Sequence, residues 1–595
     1  MPVIPARTPR VLVSLGCIYR ILRVSTIWLW LSAGMVSECS RCFGWLCTED
    51  PAMQNDDRIR TDSAIQTESA GSMSELLKLS VVVSVLFVGV LRAHAEQPSK
   101  RPNILFIFAD DQSWKTIGCY NSGPGWVRTP HIDALAVAGV RFERSYLGAW
   151  CMASRASLLT GRLQHAIRSM TMLGNYPGSK YDPAQCRFFP AQLRESGYHT
   201  AQIGKWHTGS DTGFGRDWDQ QIVWNRPGRP ENAGNYYHDQ VLEFNGVARQ
   251  VDGYSTDNYT DWAVQYIGDR GKQSDQPWFL WLCYGAIHGP TTPAARHQGT
   301  LTGRTTTPPT DIVGPWPNKP AWLQDTAAWT RDGRGGLVMA SKKGGDVVFD
   351  ANRPGKSFDA WIQQVHECNA AVDEGVGRVL QALRDSGQLE NTLVIYSADQ
   401  GFALGEHGLT QKVAPYDAAV SSPLIMSLPG RIAPNRVCRH PVNAPDLTNY
   451  LCQLAGVQLP WETHGRDIRP LLESPGASDW NLPMIMTHTS RSYGDETAQI
   501  PTDERLTSSS SVPWYVLLRD GSKKYVRYFV KGELEELYDL AADPDELVNL
   551  AVRPEHSADL ARLRRLAIAE LRRTDAQFVD GLPATAAELG AVSAP

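Results

Sequence analysis

Acidic side chains follow two apolar runs of the sequence. Asp110 and Asp111 end one run, and Asp399 with Gln400 comes shortly after another. Because the carboxyl ends of neighbouring buried strands meet at one sheet edge, we expect these groups to lie together. Carboxylate and amide oxygens favour Ca²⁺ or Mg²⁺ over Zn²⁺. Either pair alone could equally consist of turn or helix-capping residues, so a metal site is one of two open interpretations.

A cysteine lies four residues before an arginine in the segment Cys151-Met-Ala-Ser-Arg155. In a helix these positions share a face, so both side chains would point to the same place. A helix start also presents free N–H groups, which suit an anion. A cysteine beside a short helix can equally be a buried apolar residue, and these five residues alone leave both interpretations open.

The candidate residues follow apolar runs that are typical of buried strands. Uninterrupted apolar strands are expected where helices cover both faces of a sheet. Amphipathic patterns lie between these runs, as in alternating β and α elements. We therefore predict an α/β fold with a large, mostly parallel, doubly wound sheet, whose carboxyl edge carries the ligand site. The strand runs are 103–109, 278–284 and 392–396, and the helical patterns are 132–139, 155–159, 189–196 and 362–386.

The first 95 residues are predicted to lie outside this fold. Residues 73–95 combine a basic residue, an apolar run and Ala93-His-Ala95, the pattern of a secretory signal peptide. The run is shorter than the roughly 20 residues that a bilayer span needs. Residues 1–72 are interpreted as an extension from a start codon assigned too early, with a membrane anchor at 27–35 as the alternative. We expect an exported protein, periplasmic or extracellular, without a stable membrane span.

The remaining chain divides into a large and a small region. Residues 100–480 carry the candidate site and are predicted to form the catalytic domain. Within them, the Gly-, Pro-, Thr- and Arg-rich stretch 291–357 is typical of a surface insertion that shapes substrate access. Short strand patterns followed by a helix predict a C-terminal α+β subdomain over 481–580. Residues 581–595 are expected to form a loose tail.

Composition excludes several classes of function. The chain has 58 Lys+Arg against 63 Asp+Glu, a formal net charge of −5. A nucleic-acid-binding protein would need a basic surplus to displace counterions, so we expect no nucleic acid partner. The 11 cysteines are too sparse for a disulfide scaffold. Seven of them follow residue 95, and an odd number in an exported protein suggests one cysteine with a separate fate.

With these residues assembled, the sequence resembles the formylglycine-dependent sulfatases of the alkaline-phosphatase-like superfamily. Their signature, C-x-P/A-S-R followed by x-x-x-x-T-G, matches residues 151–161, with Ala153 at the Pro/Ala position. The resemblance covers roughly residues 100–552. It includes the further motifs Thr129-Pro-His-Ile-Asp-Ala-Leu135, Ile203-Gly-Lys-Trp-His207, Ala286-Ile-His-Gly-Pro290, Ser397-Ala-Asp-Gln-Gly401 and Gly405-Glu-His-Gly408.

The resemblance implies a modified residue and a metal. Cys151 would be oxidised to Cα-formylglycine by a maturating enzyme, and the hydrated aldehyde would be the nucleophile. Removing Cys151 from the count leaves six cysteines after the leader. One Ca²⁺ would be held by the side chains of Asp110, Asp111, Asp399 and Gln400 and by the residue at position 151.

The resemblance also implies roles for the basic residues. Arg155 would hold the hydrated aldehyde, and Lys205 and Lys412 would bind the sulfate oxygens. His207 would take a proton from the gem-diol, and His288 would protonate or hydrogen-bond the leaving oxygen. A sulfate monoester is an anion, so this set of cations would neutralise the charge that develops in the transition state. Histidine suits proton transfer because its pKa lies near neutrality.

The resulting hypothesis is hydrolysis of a sulfate monoester, with a carbohydrate as the expected substrate. Many exported members of the family act on sulfated glycans, and Trp316, Trp322 and Trp329 in the insertion could stack on sugars or simply pack. One alternative is a phosphomonoester or phosphonate hydrolase on the same site. Another is a non-catalytic glycan-binding protein in which Cys151 stays unmodified.

Overall fold

The computed structural model describes most of the chain after the leader: residues 100–168, 187–273, 275–324, 326, 328–340, 357–476, 480–502 and 510–590. The predicted signal peptide and the extension before it lie outside these residues. No helix in the described ranges is both long enough and apolar enough to cross a bilayer.

The strands of the described residues form three sheets. They are β1 (Asn103–Ala109), β2 (Val140–Tyr146), β3 (His199–Trp206), β4 (Gln220–Asn225), β5 (His238–Phe244), β6 (Val247–Tyr254), β7 (Trp278–Cys283), β8 (Trp329–Arg331), β9 (Leu337–Met339), β10 (Thr392–Ala398), β11 (Ser422–Ser427), β12 (Arg436–Cys438), β13 (Val442–Asn443), β14 (Met484–His488), β15 (Tyr515–Asp520), β16 (Lys523–Tyr528) and β17 (Glu536–Asp539).

The α-helices cover the sheets and the loops between them. They are α1 (Pro130–Val137), α2 (Cys151–Thr160), α3 (Phe189–Glu195), α4 (Ser255–Gly271), α5 (Ala321–Gln324), α6 (Phe358–Asp385), α7 (Asp417–Val420), α8 (Ala444–Ala455), α9 (Arg469–Glu473) and α10 (Ser557–Arg573).

The central sheet has 11 described strands, and its middle is parallel. The order β10-β1-β7-β3-β4 is parallel throughout. Antiparallel pairs extend it through β11 and β2 on one side and through β5 and β6 on the other. The prediction of a large, mostly parallel sheet is therefore confirmed.

Alternating side chains of β1 enter two different cores. Leu105 and Ile107 pack into the cluster that includes α4 and α6. Ile104, Phe106 and Phe108 pack into the cluster that includes α2 and α8. All seven residues of β1 are buried because helices cover both faces of the sheet. This confirms the doubly wound arrangement that the uninterrupted apolar run predicted.

A small antiparallel sheet follows the central one, in the order β14-β15-β16-β17. One face packs against α10, through Leu518 and Tyr525 of the sheet and Leu563 of the helix. The predicted smaller α+β region is therefore present. Its boundary with the catalytic region remains a prediction, because residues 97–595 form one compact unit. Within the segment expected to be loose, the carbonyl of Ala584 accepts a hydrogen bond from Gly532.

The tryptophans of the insertion are packing residues. Trp316 and Trp322 are buried in the cluster between the catalytic loops and the small sheet. Trp329 packs against Phe358 and Trp361, with ring centroids 5.2 and 5.4 Å away. Because these rings already have protein partners, the suggestion that they stack on sugars is wrong.

Candidate active site

The acidic residues meet because β1 and β10 are adjacent and in register. Ala109 pairs with Ala398 at the last position of each strand, so the residues that follow leave the sheet at the same level. The backbone N–H of Asp111 donates to a carboxylate oxygen of Asp399 at 3.1 Å. Asp110 and Asp399 are fully buried, and Asp111 nearly so. The geometry expected from the sequence is present at this sheet edge.

Helix α2 brings Cys151 to the same point. Trp150 before it is extended, and Gly161 ends the helix in the left-handed conformation with φ 69°. The Cys151 Sγ lies 3.3 Å from an oxygen of Asp110 and 3.6 Å from one of Asp111. Every residue of α2 is buried, so the helix is fixed on all sides and cannot easily shift the sulfur.

Four groups could together hold a cation. One ligand atom from each lies within 4.8 Å of all the others, and the four residues are Asp110, Asp111, Cys151 and Asp399. Three of them are carboxylates, the ligand type of hard divalent ions. Gln400 lies beside them, but its Nε2 rather than its oxygen faces Asp111, and the oxygen lies 3.5 Å from Ser154 Oγ. Rotation of the amide would present the oxygen instead.

Three cations surround the carboxylates. Arg155 donates through Nε and Nη2 to Asp399 at 3.1 and 2.9 Å. Lys205 bonds to Asp110. Lys412 Nζ lies 2.7 and 2.8 Å from the two oxygens of Asp111 and 3.0 Å from the sulfur of Cys151. Neither lysine is the surface residue that its type alone would suggest, because both contact the candidate metal ligands.

The electrostatics of the carboxylates follow from this crowding. Burial and the neighbouring Asp110 raise the pKa of Asp399 above its ordinary value. The pKa of Asp110 is held well below its usual range, since Lys205 and the other cations outweigh the cost of burial. Burial, Asp110 and Asp399 raise the pKa of the Cys151 thiol to about 12. An unmodified cysteine here would therefore be a protonated thiol and a poor nucleophile.

Two histidines reach the site from different strands. His288 follows β7, and its Nε2 lies 3.4 Å from Asp111. Burial lowers its pKa to about 3. His207 follows β3 and lies edge-on to Trp150 at 6.5 Å between ring centroids. Burial, then the positive charges of Arg226 and Lys205, lower the pKa of His207 well below its ordinary value.

Sequence reasoning missed two residues next to these histidines. The Arg226 guanidinium lies 3.4 and 3.5 Å from the ring nitrogens of His207. The Tyr236 ring stacks on His288, with 4.0 Å between centroids and 9° between planes. Arg226 directly follows β4 and so ends at the same sheet edge, a position that could have drawn attention to it. Nothing in the local sequence marks Tyr236.

The cysteine count turns out not to distinguish Cys151. Among the described residues, no disulfide joins Cys119, Cys151, Cys283, Cys368, Cys438 or Cys452, and Cys186 lies outside those residues. The odd number of cysteines therefore gives no information about a special role. What sets Cys151 apart is its place among charged groups.

Comparison with known proteins gives the family. A sequence model of the sulfatases matches residues 102–457. The chain is 27% identical to an N-acetylglucosamine-6-O-sulfatase of Bacteroides thetaiotaomicron, over 82% of this chain and 88% of that protein. It is 25% identical to an arylsulfatase of Clostridium perfringens, over 81% of this chain and 96% of that one.

Solved structures share the fold. One, a protein in complex with its substrate D-glucosamine-2-N,6-O-disulfate, superposes with a TM-score of 0.64 at 24% identity, covering 80% of this chain and 99% of that one. A phosphonate monoester hydrolase of Silicibacter pomeroyi gives 0.60 at 23% identity, covering 80% and 96%. The family match extends over more than half of the chain, so this protein is a hydrolase that belongs to the sulfatase family.

Proposed function

We propose that this protein hydrolyses a sulfate monoester on a carbohydrate, with residue 151 as the nucleophile after its conversion to Cα-formylglycine. The observation that carries the proposal is the position of Cys151 among three carboxylates and three cations at the carboxyl edge of the sheet. The match of residues 151–161 to the sulfatase signature supports the modification. One hydroxyl of hydrated formylglycine would attack sulfur while the bond from sulfur to the leaving alcohol oxygen breaks. Loss of a proton from the second hydroxyl would then re-form the aldehyde and break the C–O bond to sulfate, which is released.

The acidic cluster fits a calcium ion. Asp110, Asp111 and Asp399 would hold it together with the rotated amide of Gln400 and the residue at 151. All-oxygen ligation, in a site where the carboxylates would otherwise repel one another, favours Ca²⁺ or Mg²⁺, and we propose Ca²⁺. When bound, the ion would supply positive charge for a sulfate oxygen and for the nucleophile.

The chain's own cations would bind the sulfate. Lys412 and Lys205 contact two different candidate ligands, Asp111 and Asp110 respectively. Both can redirect an N–H toward a sulfate oxygen, since an ammonium group has three donors. Arg155 is tied to Asp399 through two nitrogens. We therefore assign it to holding residue 151 in place.

The two histidines would move the protons. His207 is held neutral by burial and by the cations around it, so a ring nitrogen has the lone pair needed to accept a proton from residue 151. His288 contacts Asp111, and the ring of Tyr236 stacks on it. It would place an N–H on the leaving oxygen, and Tyr236 would fix the plane of its ring.

Support for a carbohydrate substrate comes from relatives. A protein 27% identical over most of this chain is an N-acetylglucosamine-6-O-sulfatase, and a protein of the same fold binds D-glucosamine-2-N,6-O-disulfate. We infer that the substrate is a sulfated amino sugar or a glycan that contains one. Export through residues 73–95, which would bring the enzyme to such glycans, remains part of the proposal.

The test is a desulfation screen with enzyme in which residue 151 has been converted. Sulfate release from defined sulfated saccharides is measured in parallel with phosphate release from the matching phosphate and phosphonate esters. We expect kcat/KM to be higher for a sulfated saccharide than for any phosphorus ester. Preference for a phosphorus ester would replace the sulfatase proposal with its rival. Glycan binding by protein from the native host in which residue 151 is found only as the thiol would favour the non-catalytic alternative.

A further inference from the structure

The loop that carries Lys412 contains an unusual backbone conformation. Val413, the next residue, has a φ of 83°. A β-branched residue rarely adopts the left-handed region, because its side chain collides with its own backbone there. Such conformations persist only where the surroundings impose them, and they concentrate at functional sites. Contacts around Val413 must therefore impose this conformation.

The small C-terminal sheet supplies the restraint. The hydroxyl of Tyr515, the first residue of β15, donates to the carbonyl of Val413 at 2.7 Å. Tyr515 is fully buried and Val413 nearly so, in the same apolar cluster. Burial raises the pKa of the Tyr515 phenol well above its ordinary value, so the hydroxyl remains a donor. The buried carbonyl of Val413 therefore accepts a hydrogen bond from a residue 102 positions away in the sequence.

The end of the loop is tied to the same region. The Tyr416 hydroxyl donates to Glu536 of β17 at 2.9 Å. The backbone N–H of Asp417 donates to a carboxylate oxygen of Glu546 at 2.6 Å. The C-terminal region therefore holds the backbone at both Val413 and Asp417. Lys412 directly precedes Val413, and its side chain contacts Asp111 and Cys151.

We propose that Tyr515 is a positioning residue for Lys412: its hydroxyl keeps Val413 in the left-handed conformation that directs Lys412 into the site. The inference rests on the proposed role of Lys412 in binding sulfate. It also gives the C-terminal sheet a part in catalysis, although none of its residues contacts the candidate metal ligands directly in the contacts described above.

The first test is Tyr515→Phe, which removes one hydroxyl and keeps the ring. We expect kcat/KM for the sulfated substrate to fall about tenfold, the effect of losing one buried hydrogen bond. The matched control is Tyr525→Phe. That hydroxyl donates to Glu535, the residue before β17, at 2.6 Å. It does not bond to the loop, so activity should stay within about twofold of wild type.

The second test separates positioning from general stability. Glycine adopts positive φ without a side-chain penalty. Val413→Gly should therefore allow the loop conformation without the hydrogen bond from the Tyr515 hydroxyl. In the Tyr515→Phe background we expect Val413→Gly to restore most of kcat/KM. The same change removes a buried side chain, so the midpoint of thermal unfolding should fall further. Activity and stability would then move in opposite directions, which a merely structural role of Tyr515 does not allow.

The outcomes distinguish this inference from the proposed function. Wild-type kcat/KM in Tyr515→Phe, or a double variant no more active than Tyr515→Phe, would overturn the positioning role. Lys412→Ala is measured beside them. If Lys412→Ala keeps wild-type activity, the assignment of Lys412 to sulfate binding is wrong, and the positioning role of Tyr515, which depends on it, is wrong as well. If Lys412→Ala is inactive while Tyr515→Phe is unaffected, only the present inference fails.

Discussion

At the scale of single residues, the negative and positive charges of the site are equal in number. Three buried carboxylates face three cations, and each pair is in direct contact: Asp110 with Lys205, Asp111 with Lys412, and Asp399 with Arg155. Buried charges are stable only when paired. A sulfate ester and a divalent cation would add one anion and one cation, so the site can admit both without a large change in net charge.

Replacing Lys205 by methionine tests this balance. The change removes the lysine that pairs with Asp110 and, with it, the donor proposed for the sulfate. We expect kcat/KM to fall about 100-fold or more, as for loss of one preorganised donor in a transition-state site. Lys272→Met is the control, because that lysine is exposed and pairs with the exposed Asp269. Steady-state desulfation kinetics measure both, and activity near wild type in Lys205→Met would contradict the assigned role.

Some of the site residues could be identified from sequence and others could not. The strand-ending aspartates and the Cys151 segment have local signals, namely apolar runs and a fixed spacing. Arg226 and Tyr236 depend on which strands are neighbours, which no local pattern contains. The sequence leaves the insertion tryptophans open to sugar stacking or to packing, because residue type alone does not say whether an aromatic ring finds a partner inside the protein.

At the scale of elements, a buried ion cluster joins α7 to the C-terminal sheet. Lys524 of β16 lies 2.8 Å from Asp417 and 2.5 Å from Glu546. Arg519 and Arg144 also face Asp417, at 3.6 and 3.0 Å. Burial opposes ionisation, but Lys524 and the two arginines hold the pKa of Asp417 below its ordinary value. The cluster fixes the end of the loop that carries Lys412.

Lys524→Met should therefore destabilise the protein strongly. It removes the positive charge that pairs with the buried carboxylates of Asp417 and Glu546. Breaking a buried ion pair lowers the free energy of unfolding by about 3–5 kcal/mol. The neighbouring Lys523→Met is the control, since Lys523 is partly exposed and pairs with Asp539 at 3.2 Å. Its effect should be about 1 kcal/mol or less. Denaturant unfolding of both variants measures the difference, and equal stabilities would contradict the role of the cluster.

Elements were more predictable than their arrangement. The run 103–109 coincides with β1. The predicted helix 362–386 begins four residues after the start of α6 and ends one residue beyond it. These boundaries follow from apolar periodicity and turn residues in the local sequence. The order of strands in the sheet, the antiparallel edges and the contact of Tyr515 with Val413 depend on long-range pairing, which periodicity does not encode.

At the scale of the whole molecule, a buried histidine links the catalytic region to the C-terminal sheet and helix. His165, shortly after α2, contacts Thr487 of β14 at 2.9 Å and the carbonyl of Thr574 after α10 at 2.8 Å. The ring of His464 stacks on it at 6.1 Å. Burial lowers the pKa of His165 to about 4, so the ring is neutral in the folded protein near neutral pH.

This histidine makes stability depend on pH. Unfolded chains take up a proton on histidine below about pH 6.5, whereas folded His165 does so only near pH 4. The unfolded state therefore binds more protons in this window, and stability falls as the pH decreases from about 6.5 to 4, by about 3 kcal/mol for this one group. Thermal unfolding of His165→Gln should depend less on pH than that of wild type. Equal pH dependence would contradict the assignment.

Calcium should stabilise the folded protein as a whole. An ion that binds only the native state at about 100 times its dissociation constant contributes about 2.7 kcal/mol. We expect a chelator to lower the midpoint of thermal unfolding and Ca²⁺ to restore it. Asp399→Asn, which removes one charged ligand from the cluster, should respond much less. Equal responses of the two proteins would place the ion elsewhere.

Turnover should depend on residue 151 in its aldehyde form. Mass spectrometry of the tryptic peptide spanning residues 145–155 measures the fraction converted, and the same preparations are assayed for sulfate release. We predict that the rate per mole of protein rises in proportion to the converted fraction and that Cys151→Ala is inactive. Full activity in a preparation that contains only the thiol, or in Cys151→Ala, would contradict the account.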